Sequence, residues 1–239
     1  MDIVYFQKGF NYSQDGTGNR LVIHLQGCNL HCPWCSNPEG MDFTGGKSVD
    51  ADKLIAEIGS CKRLFFGGGG VTFTGGECTM QKQVLRYVLK GCKKLGIHTA
   101  IETNGTCPYE EDLFENVDLI ISDFKHYDKE KLEKRVGQVR DYQKNIRDYL
   151  HSEKFVAIRI VLINHFNTEE NDAVAFARFF KELPTQNATF EFLPYHEYGK
   201  NKWEKMGKKY EMTDAFVSPE RVRYFENVFE SFHLKTVRS

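Results

Sequence analysis

The chain of 239 residues has no excess of charge of either sign. Its 32 Lys and Arg face 33 Asp and Glu, leaving a net charge of −1. So small a field draws the protein to neither nucleic acid nor an anionic membrane. No apolar run approaches the ~20 residues that span a bilayer. The opening Met1-Asp2-Ile3-Val4-Tyr5-Phe6-Gln7 lacks the basic segment and apolar stretch of a signal peptide. Internal repeats, low-complexity tracts and linkers are missing too, so one domain over residues 1–239 is expected. The seven cysteines are an odd number, and Cys61, Cys78, Cys92 and Cys107 are scattered. That usage argues against a disulfide framework and for a reducing, cytoplasmic setting.

The other three cysteines are not scattered. Cys28, Cys32 and Cys35 form a C-x3-C-x2-C triplet in Gly27-Cys28-Asn29-Leu30-His31-Cys32-Pro33-Trp34-Cys35. Iron–sulfur clusters of the [4Fe–4S] type are normally held by four cysteines, and no fourth lies nearby. Three thiolates would leave one metal position open to a substrate or cofactor, as at an open catalytic metal site. The spacing alone leaves other readings: a zinc site completed by His31 or a distant His, a disulfide-forming loop, or plain thiols.

Short apolar runs alternate with amphipathic segments, the pattern of β-α units on a parallel sheet. Strands are predicted at 21–25, 71–74, 99–102, 119–123, 156–163 and 189–193. Helical spacing joins Leu54, Ile55 and Ile58, and then Val84, Val88, Cys92 and Leu95 with Leu85 and Leu89. Asn167 with Glu170 reads as a capping box ahead of Val174, Ala177 and Phe180. Ser218-Pro219-Glu220 reads as the start of a helix carrying Val222, Phe225, Phe229 and Phe232. Six such units predict an α/β fold, a single-domain partial TIM-type (β/α)6 barrel with parallel strands.

Polar and glycine residues recur at the strand ends, the rim that carries active sites in β/α barrels. Asp15-Gly-x-Gly-x-Arg20 precedes the first predicted strand and the cysteine loop follows it. Gly75-Gly76-Glu77, Glu102-Thr103, Asp123-x-Lys125 and Tyr195-His196 end later strands. Paired glycines serve as a turn or expose backbone groups to a ligand. Asp123 and Lys125 share one strand face, as a salt bridge or as a grip on a zwitterion. A buried Arg159 needs an anion, from a ligand or from the protein.

Together these residues strongly resemble the radical S-adenosylmethionine (SAM) superfamily, and within it the glycyl-radical-enzyme activating enzymes. The markers are the triplet with Asn37, the Gly-Gly-Glu run ending at Glu77, and Tyr195-His196-x-x-Gly199 continuing through Lys202-Trp203 and Met206-Gly207. The resemblance implies one [4Fe–4S] cluster on Cys28, Cys32 and Cys35, with SAM chelating its open iron. It implies Trp34, Ser36 and Asn37 beside the SAM nucleoside and sulfonium, and Gly75, Gly76 and Glu77 at its amino group. Asp123, Lys125 and Arg159 would hold ribose and carboxylate, and His196 would lie near the adenine. Glu102, Thr103 and Asp123 match positions that hold a monovalent cation in relatives, although relatives usually carry Asp where this chain has Glu102. Asp15 would lie near the incoming glycine peptide, with no residue serving as acid or base. The implied reaction cleaves SAM reductively to a 5′-deoxyadenosyl radical, which takes hydrogen from a backbone glycine of a glycyl radical enzyme such as pyruvate formate-lyase. Flavodoxin or ferredoxin would donate the electron, and a monomer is expected.

Two alternatives remain from sequence: a radical SAM enzyme of small molecules, deazaguanine-synthase-like, and, in a different class, a non-catalytic iron–sulfur or zinc module. A nucleic-acid role would rest on Lys200, Lys202, Lys205, Lys208 and Lys209. Glu204 and Glu211 interleave with them, as on a solvated or partner-docking face.

Overall fold

The computed structural model describes residues 1–238. The chain divides into two compact units, the first holding 1–29, 37–103 and 109–121, the second 30–36, 104–108 and 122 onward.

The first unit opens with strand β1 (Asp2–Tyr12), followed by β2 (Asn19–Leu25) and β3 (Lys47–Asp50). β1 pairs antiparallel with both, and a bulge between Tyr5 and Gln7 shifts its register on β2. Helix α1 (Ala51–Ser60) is capped by Asp50, whose carboxylate accepts from the Asp52 and Lys53 N–H groups. Such a side-chain cap satisfies N–H groups that the first turn leaves unpaired. Next come β4 (Gly70–Gly75), α2 (Lys82–Lys94), β5 (Thr99–Thr103) and the short α3 (Glu111–Phe114). β4 lies parallel to β2 and to β5. α2 buries Val84, Leu85, Val88, Leu89 and Cys92, a stripe at helical spacing. Leu95, expected on that stripe, is instead the C-cap and is exposed, because the chain turns away at Gly96, whose φ is +64°. α1 and α2 approach closely at Gly91, where a Cβ would stand 2.5 Å from the Ile55 side chain.

Strand β6 (Leu119–Asp123) begins in the first unit and ends in the second. The second continues with α4 (Lys129–Val136), α5 (Tyr142–His151), β7 (Phe155–Leu162), α6 (Glu170–Lys181) and β8 (Ala188–Pro194). Last come α7 (Lys200–Lys205), α8 (Pro219–Ser231) and β9 (Thr236–Val237). β7, β8 and β9 are parallel neighbours. The core here is aromatic: Phe180, Phe190, Phe192, Phe225 and Phe229 interlock with ring centroids 4.7–6.2 Å apart. Those separations suit edge-to-face contacts.

All six expected strands are present as β2 and β4–β8, and with their helices they give the α/β class with mostly parallel strands. Chain order therefore carries the β-α repeats of a partial (β/α)6 barrel. Other expectations shift. The antiparallel β1 and β3 and the short β9 were not foreseen. The capping box ahead of α6 is formed by Glu169 and Asp172, not by Asn167 and Glu170. Asn167 is committed elsewhere: its amide accepts from Ile163 N–H and donates to the Lys125 and Val161 carbonyls.

Candidate cofactor site

In the first unit, the end of β4 is pressed against the chain leading into and out of the cysteine loop. Gly75 has φ +122°, and a Cβ there would stand 2.3 Å from Leu25 N. At Gly76 a Cβ would meet the carbonyl oxygens of Gly40 at 2.3 Å and Gly27 at 2.4 Å. The Gly76 N–H donates to Leu25 O and the Glu77 N–H to Gly27 O. Both glycines are thus required by backbone approach, and those two N–H groups already have protein acceptors. Cys28 is anchored on the same side by its N–H to Met41 O.

Glu77 is fully buried, and its Oε1 accepts from Thr79 N–H, Thr79 Oγ1 and Thr103 Oγ1 at 3.1, 2.6 and 2.9 Å. Glu102 Oε2 accepts from Thr74 Oγ1 at 2.8 Å. The structure thereby brings Glu77 to Thr103, and Glu102 to Thr74. Asp15 accepts from the Asn11 amide, and its carbonyl accepts from Thr72 Oγ1. The neighbouring Arg20 is fully buried, donating to Thr72 Oγ1 at 2.7 Å and Val71 O at 2.8 Å. Burial lowers its pKa to about 10, with Asp15 and Asp118 acting the other way.

In the second unit the stretch 30–36 is held at three points. The His31 N–H donates to Val136 O at 2.9 Å, Trp34 packs on Phe166 with centroids 5.2 Å apart, and Trp203 Nε1 donates to Cys35 O at 2.9 Å. Gly199 lies against the same residue, since a Cβ there would stand 2.4 Å from Cys35 O and 2.8 Å from Ser36 Cα. Sequence reading singled out the run from Tyr195 to Gly207 but not that it seats on the third cysteine. The bare Gly199 followed by an aromatic four residues on was the available signal.

Lys125 is buried and paired with Asp123. Burial opposes its charge, but Asp123 and then Cys32 outweigh burial and hold its pKa above the ordinary lysine value. Burial likewise pushes the Cys32 thiol up to about 12, with Lys125 acting against it. The Lys125 backbone is fixed by its N–H to Tyr142 Oη at 2.6 Å and by Asn167 on its carbonyl. Arg159 meets the anion it needs in Glu191, directly across the β7–β8 register, with Nε–Oε2 at 3.0 Å. His196 stacks on the exposed Tyr198 with centroids 4.0 Å apart, and burial lowers its pKa. Ser36 and Asn37 are half-buried.

None of the seven cysteines is joined in a disulfide, which removes the disulfide reading. Among the described residues no three or more His, Cys, Asp or Glu side chains are grouped around a common metal position. The Radical SAM superfamily matches residues 22–177, a span that contains the triplet and the ends of β4–β7. Pyruvate formate-lyase 1-activating enzyme of Escherichia coli is 33% identical over 220 residues, 90% of this chain and 88% of that protein. This chain belongs to the radical SAM superfamily, among the pyruvate formate-lyase activating enzymes.

Within that family, pyruvate formate-lyase-activating enzyme of Clostridium pasteurianum is 34% identical over 207 residues, 84% of this chain and 85% of that protein. A crystal structure of a domain of pyruvate-formate lyase-activating enzyme from Bacteroides vulgatus superposes with a TM-score of 0.60 at 28% identity. It covers 72% of this chain and 99% of that one. Streptococcus suis SuiB bound to S-adenosylmethionine shares the fold, with a TM-score of 0.60 at 16% identity over 92% of this chain and 46% of that one. As a radical SAM protein the chain uses a [4Fe–4S] cluster and SAM. The residues present suit that cluster: three unbridged thiols, soft donors of the type iron–sulfur centres take, with the Lys125 ammonium opposing the charge of a Cys32 thiolate.

Proposed function

We propose that this protein activates a glycyl radical enzyme, with pyruvate formate-lyase as the first candidate partner. The observation that carries this reading is the seating of the 195–207 run on Cys35, through Gly199 and the Trp203 indole. The part of the sequence that resembles activating enzymes most narrowly is therefore built onto the cysteine loop.

Cys28, Cys32 and Cys35 are the proposed cluster ligands. Held there, the cluster would supply a low-potential electron for the reductive cleavage of SAM, and the 5′-deoxyadenosyl radical released beside methionine would take hydrogen from the partner's glycine. The chain's own residues bind and orient. Lys125 places a fixed positive charge beside Cys32. Trp34, Ser36, Asn37, Gly75, Gly76 and Glu77 are assigned to SAM, with Asp123, Lys125, Arg159 and His196. Glu102, Thr103 and Asp123 are assigned to a monovalent cation, and Asp15 to the glycine peptide. The pre-existing pairs Asp123–Lys125 and Arg159–Glu191 mean that a carboxylate ligand would join charges already held in place, which lowers the ordering cost of binding. The electron donor is assigned as flavodoxin or ferredoxin, and the working protein as a cytoplasmic monomer acting as one core domain.

The test is anaerobic reconstitution with iron and sulfide, reduction, and addition of SAM. The expected products are 5′-deoxyadenosine and methionine, and with pyruvate formate-lyase present a glycine-centred EPR doublet on that partner. A fully loaded cluster that leaves SAM intact sinks the reading. Cleavage of SAM without a doublet on any glycyl radical protein would instead favour a small-molecule substrate.

A further inference from the structure

We propose that Trp203 is a positioning residue for the iron–sulfur centre, acting through the Cys35–Ser36 peptide. This rests on the reading that Cys35 is a cluster ligand. The indole Nε1–H donates to Cys35 O at 2.9 Å, a normal length for a full-strength bond. Gly199 packs against the same carbonyl, where a Cβ would stand 2.4 Å from the oxygen. Trp203 is itself fixed. Its N–H donates to Gly199 O, its ring lies edge-on to Tyr210 with centroids 6.1 Å apart, and Tyr210 Oη bonds Tyr195 Oη at 2.7 Å. Tyr195 is buried, so the brace runs from the second unit's interior to one carbonyl.

That carbonyl sets more than its own direction. A trans peptide is planar, so the Ser36 N–H must point opposite to the Cys35 C=O. Trp203 therefore decides which pole of the peptide dipole faces the Cys35 side chain's surroundings and which faces α7. Dipoles and hydrogen bonds around cluster sulfurs set the reduction potential. With the donor gone, the carbonyl is free to turn its negative end toward the centre, which disfavours the added electron.

The experiment compares the unaltered chain with Trp203→Phe, each reconstituted and titrated electrochemically with EPR detection of the reduced cluster. The variant is expected to show a reduced-to-oxidised ratio about tenfold smaller at a fixed potential, which is a shift of about −59 mV for one electron. Gly199→Ala, which retains the indole but displaces the same carbonyl, is expected to shift the potential too. In the metal-free protein, one of the two indole N–H signals is expected to exchange slowly and to vanish in Trp203→Phe. Should that variant lose its fold by circular dichroism, the benzothiophene analogue of Trp at position 203 removes only the donor and is titrated in its place. Equal potentials in two fully loaded proteins overturn this inference alone. Failure of the unaltered chain to take up a cluster overturns the functional reading, and this inference with it.

Discussion

At the scale of single residues, this protein spends buried polar groups on fixing backbone. Arg20 is the clearest case, because its guanidinium meets Val71 O and Thr72 Oγ1 in a site without solvent. Arg20→Met would strip both buried oxygens of a charged donor, at about 1–3 kcal/mol each. A stability loss of roughly 2–4 kcal/mol is expected, read as a lower urea midpoint at unchanged slope. His126 gives a second prediction, about pH. Its ring is fully buried, Nδ1 accepts from Asp128 N–H, and Nε2 donates to Phe166 O. Protonating Nδ1 would break the first bond, and burial lowers the pKa of this histidine. A lowered folded-state value means that the unfolded chain binds the proton first. The stabilisation is therefore whole above the ordinary histidine value of about 6.5 and is lost as pH falls below it through the folded value. Urea midpoints measured from pH 8 to 5 should decline below that point. In His126→Gln the decline should be shallower.

At the scale of elements, packing and propensity agree in the second unit, and single changes there should be costly. Phe229 is fully buried on α8 and touches Phe180, Phe190 and Phe192. Phe229→Ala should destabilise by about 3–5 kcal/mol, the usual cost of such a cavity, seen as a lower thermal midpoint. This face was legible in the sequence because Phe225 and Phe229 stand one turn apart after a Ser-Pro helix start. The parallel strands were legible for a related reason, since buried on both faces they read as short continuous apolar runs. β1 was not. Half of it faces solvent, and its bulge between Tyr5 and Gln7 breaks the two-residue alternation that marks a strand. The candidate site was legible to the same extent. The polar strand ends fall where expected, and Arg159 was expected to need an anion. That Glu191 supplies one depends on the β7–β8 register, which residue spacing within either strand does not reveal.

For the whole molecule, the question that composition leaves open is how many metal centres seven cysteines make. The four outside the triplet have other occupations. Cys61 is the C-cap of α1, Cys78 donates to Glu102 O at 3.4 Å, and Cys107 donates to Pro108 O at 3.4 Å. Cys92 is fully buried on the apolar stripe of α2, where burial pushes its thiol up to about 12. The interior position of Cys92 denies a metal access to that thiol. Reconstitution should therefore load about four irons per chain, one [4Fe–4S] cluster, and no more. Replacing Cys61 by Ser, or Cys92 by Ala, should leave the iron content unchanged. Cys35→Ser should lower it sharply and broaden the visible absorption of what remains. Iron near eight per chain, or loss of iron on changing Cys61 or Cys92, would mean that a second centre draws on cysteines now assigned to packing.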